Sequence, residues 1–163
     1  GDGWFFSGFD CIHEDQTDWC MEKLNKRKVP AMAFFHMPPA EFKEAYEKMK
    51  LGDHTVIYEH GSIGEKDEYF GISNRPPHFF EKAVDNGWLK WIFCGHDHLN
   101  TLSLTYKGIR MTYGMSIDYL GYSGIAKQYI QRGATLITRK TDGNIDITMV
   151  PLTTVVSTRV RGA

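Results

Sequence analysis

The chain has 163 residues, 42% apolar and 24% charged, with a formal net charge of −1. These values exclude wholesale disorder, and the balanced charge argues against nucleic-acid or membrane-surface binding built on bulk electrostatics. One domain over residues 1–163 with a real core is expected, and no apolar run approaches the ~18 residues of a membrane span.

In chain order, Trp4 to Phe6 reads as a short strand closed by Ser7-Gly8. Asp15 is a plausible N-cap for a helix to about Arg27, with Trp19, Cys20 and Leu24 on its buried side and Lys23, Lys26 and Arg27 suiting its C-terminal end. VPAMAFFH, residues 29–36, is a continuous apolar run, the mark of a strand buried on both faces, and Pro38-Pro39 ends it. A helix from about Pro39 to Met49 follows, with Phe42, Ala45, Tyr46 and Met49 at helical spacing. Residues 50–76 show no clear periodicity and read as a long glycine-rich loop over the site. PHFFEKAVDNGW is a helix stopped at Asn86-Gly87, and LKWIFCG is a second buried strand. TLSLTY and IRMTYG alternate around Lys107-Gly108, and ATLITRK and NIDITMV flank Thr141-Asp142-Gly143, so both pairs read as hairpins. Buried strands with crossover helices first and hairpins last predict an α/β layered fold with a mixed sheet.

The three cysteines, Cys11, Cys20 and Cys94, have no C-x-x-C spacing and read as reduced thiols. The seven histidines are unequal. His36 ends one buried strand; His96 and His98 follow Gly95 at the end of another. Ligands of open α/β sheets bind at the carboxyl ends of strands, so three imidazoles converge if these strands are neighbours. Neutral imidazole is a frequent ligand of zinc-like and iron-like metals. In an extended segment His96 and His98 would point the same way, and Gly95 would permit a sharp bend. His13, His54, His60 and His78 lack this setting.

G-H-D-H after an apolar strand, with FFHMPP about sixty residues earlier, resembles the last two motifs of the calcineurin-like metallophosphoesterases. Gln16 and Trp19 resemble that family's Q-x-x-W. Residues 61–100 resemble its purple-acid-phosphatase-like branch, and Gly133-Ala134 before a strand is similar to that branch's late hairpin. The resemblance implies a layered β-sandwich flanked by helices, of which these residues would form the C-terminal half. It implies two metal ions (iron, manganese or zinc), with His36 and His96 on one and His98 on the other, while Asp97 is not expected to be a ligand. Asn100 and Asp118 are candidates to support the ligands, although turn formation is the commoner use of such residues. Arg75 is a candidate phosphate contact. The substrate would be a phosphate ester, small molecule or phosphoprotein, attacked by a metal-activated water.

The family's upstream motifs, D-x-H, G-D-x-x-D and G-N-H-D/E, are not in this sequence; Gly1-Asp2 and Gly52-Asp53 lack the second aspartate, and Ser73-Asn74-Arg75 is not G-N-H. The family's catalytic histidine therefore has no counterpart here, and little phosphatase activity is expected of the 163 residues alone. Two alternatives stay open. One is a non-catalytic interaction module that keeps the fold. The other is a mononuclear metal-binding protein completed by His60, Glu65 or Asp67. An uncovered sandwich face also predicts self-association through Trp4 to Phe6 and Val29 to Phe35.

Overall fold

A computed structural model describes residues 11–73, 78–122 and 132–152. The expected strand at Trp4 to Phe6 and the candidate Arg75 lie outside the described residues. The elements are α1 (Glu14–Arg27), β1 (Ala31–Phe34), α2 (Ala40–Lys50), β2 (Val56–His60), α3 (Phe79–Asn86), β3 (Leu89–Cys94), β4 (Ser103–Tyr106), β5 (Ile109–Tyr113), β6 (Gly133–Arg139) and β7 (Ile145–Pro151). The first five strands form one mixed sheet in the order β1-β3-β5-β4-β2, and β6 and β7 form a separate antiparallel pair. The architecture is the expected layered α/β arrangement, with both late hairpins in place.

Strand β3 pairs in parallel with β1 on one side and β5 on the other, while β4 runs antiparallel to both β5 and β2. The β4–β5 turn gives Lys107 and Gly108 φ values of 48° and 80°, the two positive values that a type I′ hairpin requires. Helices α2 and α3 pack on one sheet face, and α1 docks on α3, where Lys82 bonds Glu14 and reaches Asp18 at 2.8 Å. The core lies between helices and sheet, built on Phe42, Phe80, Ile92, Leu104, Met111 and Tyr113.

Three expectations need correction. Helix α1 is capped at His13 rather than Asp15, and Trp19 is 62% exposed. The buried stripe is Thr17, Cys20, Met21 and Leu24, the i, i+3, i+4, i+7 series, and Trp19 falls on the opposite side. Strand β1 is not buried on both faces. Among the described residues it lies at the edge of the sheet; its Ala31 and Ala33 pack on the core, whereas Phe34 is 63% exposed. An unbroken apolar run cannot distinguish two covered faces from one, since alternation is visible only where the outer residues are polar. Finally, residues 50–76 contain a strand, β2, and a 3-10 turn at Lys66–Glu68. Only Val56 of β2 is fully buried, so this outer strand leaves no periodic trace.

Candidate functional site

The histidine cluster is a product of the β1–β3 pairing. The parallel register sets Phe34 beside Phe93, the Phe35 N–H donates to the Phe93 carbonyl at 3.1 Å, and the Gly95 N–H donates to the His36 carbonyl at 3.0 Å. The two chains thus leave the sheet together. His36 Nε2 and His96 Nδ1 lie 3.2 Å apart, with the rings nearly perpendicular at 87°.

The turn that holds His96 differs from expectation. Residues 95–100 are bent rather than extended, and the left-handed residue is His96 itself, at φ 67°, not Gly95. A non-glycine residue there carries strain on the order of 1 kcal/mol, which surrounding contacts must hold. Asp97 and Asn100 make those contacts. Asp97 is 5% exposed; both its oxygens lie 3.1 Å from the Gly71 N–H, and Oδ2 accepts from the Tyr113 hydroxyl at 2.5 Å. Burial raises its pKa, against the lowering effect of the Tyr113 and Gly71 hydrogen bonds. This explains an acid between two histidines: it anchors the turn in the core.

Asn100, also fully buried, accepts from the Gly64 and Glu65 N–H groups at 3.0 and 3.1 Å and donates to the Tyr69 carbonyl at 3.2 Å. It therefore straps residues 64–69 to the histidine turn and makes no hydrogen bond to an imidazole. Asp118 behaves differently. Its Oδ2 lies 3.0 Å from His98 Nδ1, while its Oδ1 accepts from the Leu120 N–H at 2.8 Å. The Leu120 N–H first, and the His98 ring after it, hold its carboxyl below the ordinary range. Asp118 thus supports an imidazole and forms a turn at once.

His96 and His98 open into a shallow cleft shared with Glu65, Tyr69, Asp97 and Tyr122. Glu65 closes one wall: it accepts from the Leu99 N–H at 3.0 Å and from the Tyr122 hydroxyl at 2.9 Å. Burial, then the Glu65 carboxylate, pushes the Tyr122 pKa up to about 12. Behind Asp118 lies Arg132, 1% exposed, whose Nε donates to the Asp118 carbonyl at 2.6 Å. Tyr113, Tyr122 and Arg132 escape sequence reading because none sits in a motif; Asp97 was visible, as the acid inside H-x-H, and its buried role was not.

The His36–His96 separation can be tested against metal geometry. Two nitrogens each about 2.0–2.1 Å from one zinc ion at a tetrahedral angle lie about 3.3 Å apart. The observed 3.2 Å matches the separation of two ligands of one ion and equally that of a hydrogen bond between the two rings. Two ligands would in any case be half of a tetrahedral shell. Among the described residues no group of three or more His, Cys, Asp or Glu side chains is arranged to hold a metal ion. Of the residues considered for a mononuclear site, His60 has Arg110 and Glu59 as its charged neighbours and Asp67 pairs with Lys66 on the surface, whereas Glu65 lines the cleft beside His96 and His98.

No family model matches the chain. No solved structure matches it either. Among curated proteins it is similar to "Probable inactive purple acid phosphatase 29" of Arabidopsis thaliana, 25% identical over 132 residues, covering 72% of this chain and 31% of that protein. It is similar to "Probable inactive purple acid phosphatase 28" of the same plant, 31% identical over 118 residues, covering 68% of this chain and 27% of that protein. A third, "Probable inactive purple acid phosphatase 14", is 24% identical over 130 residues, covering 72% and 30%. The chain therefore spans less than a third of the length of each relative. On these matches, together with the motif pattern and the layered fold, the chain is a distant relative of the purple-acid-phosphatase-like metallophosphoesterases.

Proposed function

We propose that His36, His96 and His98 form the histidine side of a two-metal phosphoesterase centre, whose remaining carboxylate ligands would come from outside the groups that the described residues bring together. The observation behind this reading is the 3.2 Å approach of His36 and His96, produced by strands that meet sixty residues apart in sequence. His36 and His96 would hold one ion and His98 the other, the ions being iron, manganese or zinc. Metal ions in such a centre polarise the phosphoryl oxygens and lower the pKa of a bound water for attack on a phosphate ester. The chain's own residues orient the ligands: Asp118 fixes the His98 ring, and Asn100 and Glu65 hold the cleft wall. The substrate class is a phosphate monoester or diester, small molecule or phosphoprotein.

Three neutral imidazoles do not offset the charge of two hard cations. The isolated chain is therefore expected to bind metal weakly and to show little phosphatase turnover. Metal content by mass spectrometry, on the purified chain and on His96→Ala, tests the reading: metal bound and then lost in the variant supports it. Metal retained in His96→Ala contradicts the ligand assignment. Turnover of p-nitrophenyl phosphate by the wild-type chain contradicts the expected inactivity.

A second reading, a non-catalytic module that keeps the fold, is favoured by one observation: each of the three relatives is named inactive. A metal-free protein whose His96→Ala variant is equally stable and equally folded would favour it.

A further inference from the structure

We infer that Arg132, at the start of β6, is a positioning residue for His98: it holds the backbone that carries Asp118 against the imidazole. Residues 114–118 follow β5 and belong to no helix or strand, so no ladder of their own places them. The start of β6 supplies the partners such a backbone needs. The Met115 N–H donates to Thr135 Oγ1 at 2.8 Å, the Gly133 N–H donates to the Ser116 carbonyl at 3.0 Å, and Arg132 Nε donates to the Asp118 carbonyl at 2.6 Å. The approach is close: a Cβ on Gly133 would stand 2.5 Å from Met115 Sδ. Arg132 is itself fixed. It is 1% exposed, its carbonyl accepts from the Leu152 N–H at 2.7 Å, and its guanidinium lies over the Tyr119 ring at 5.3 Å. Burying a charged side chain has a cost that its hydrogen bonds must offset, and one of those bonds goes to the main chain of Asp118.

What this clamp fixes is the place of a proton. Asp118 Oδ2 lies 3.0 Å from His98 Nδ1. A carboxylate has no hydrogen to give, so a neutral His98 carries its proton on Nδ1 and leaves Nε2 bare. The local bonds of the Asp118 turn, from its own N–H to Ser116 Oγ at 3.1 Å and from the Leu120 N–H to Oδ1 at 2.8 Å, give the turn its shape. They do not tie it to the rest of the fold; the bonds to β6 do. If residues 115–118 drift, the carboxylate leaves Nδ1, and the proton is free to occupy either ring nitrogen. The consequence for metal rests on the reading under Proposed function; the choice of tautomer does not.

The experiment is long-range proton–nitrogen NMR of the chain labelled with nitrogen-15 histidine, at a pH well above imidazole protonation. In the wild type the two His98 nitrogens should lie far apart in shift, Nδ1 protonated and Nε2 bare. Asp118→Ala calibrates the response: the two resonances should move toward each other as the tautomers mix. Arg132→Met, which keeps the stem and removes the donors, should move them in the same direction and leave His36 and His96 as in the wild type. Should Arg132→Met not fold, Thr135→Val supplies the test: it keeps the shape, removes the acceptor of the Met115 N–H, and should move His98 the same way. A merely structural role lowers stability and leaves the tautomer alone. A wild-type His98 pattern in folded Arg132→Met, or in Thr135→Val if Arg132→Met does not fold, would overturn the inference. So would an equal response of all three histidines, which would mean a general loosening. Zinc titration of the same samples separates the two readings: a loss of about 10-fold in affinity accompanies the tautomer response if His98 is a ligand. If the wild type binds no zinc while the tautomer response is present, the metal reading fails and the positioning role stands.

Discussion

His98 Nδ1 lies 3.0 Å from Asp118 Oδ2, a contact between the histidine turn and the segment that follows β5. Gly121 makes the contact possible, since a Cβ there would fall 2.4 Å from His98 Cε1 and 2.5 Å from Asp118 Oδ2. A bond of this kind fixes the tautomer of an imidazole and directs its other nitrogen outward. Asp118→Ala is expected to weaken zinc binding by about 10-fold, the lower end for loss of a ligand-supporting group. Gly121→Ala should have the same effect by displacement. Calorimetric titration checks both, and wild-type affinity in both variants would show that His98 is not a ligand.

His60 predicts a pH dependence. Both of its ring nitrogens are buried without a hydrogen-bond partner among the described residues. Burial, then the Arg110 charge, lowers its pKa below the ordinary 6.5. The unfolded chain therefore takes up the proton first. Stability is full above the unfolded value and falls as pH drops through it toward the folded value. Urea unfolding should show lower stability at about pH 5.5 than at about pH 7.5, and His60→Phe should reduce that difference. An unchanged difference in the variant would assign the dependence to other groups.

Phe42 links core stability to the site. It is 0% exposed and stacks on Tyr113, the residue that holds Asp97. Phe42→Ala should cost about 3–5 kcal/mol in unfolding free energy, through lost burial and the cavity left behind. The same variant should disturb the Gly71 amide signal, because Tyr113 loses its stacking partner. A loss below about 1 kcal/mol would mean that the neighbouring aromatics refill the space.

The outer face of β1 predicts self-association. Val29, just before β1, is 52% exposed, Met32 39% and Phe34 63%, and Phe34 stacks on Phe93 at 5.0 Å. An apolar strand at the edge of the sheet formed by the described residues is a template for another chain. Sedimentation of the isolated chain should show a dimer or higher assembly as concentration rises, and Phe34→Glu should shift it toward monomer. A monomer at all concentrations would remove the proposal.

The positions of α2, α3, β3 and both hairpins were legible because each is bounded by local signals: helical spacing at Phe42 and Ala45, Gly87 as a left-handed stop, and Lys107-Gly108 and Asp142-Gly143 as turns. β2 was not legible, since a mostly exposed outer strand needs no alternating pattern. At the candidate site, the sequence by itself determined that His36, His96 and His98 follow the ends of apolar strands. Chain order says nothing about which strands are neighbours. The tertiary structure decided that β1 lies beside β3, that His96 rather than Gly95 takes the left-handed turn, and that Asp97 is an anchor. The physical reason is range: periodicity and turn chemistry act within a few residues, whereas a buried carboxylate acquires its role from partners 16 and 26 residues away.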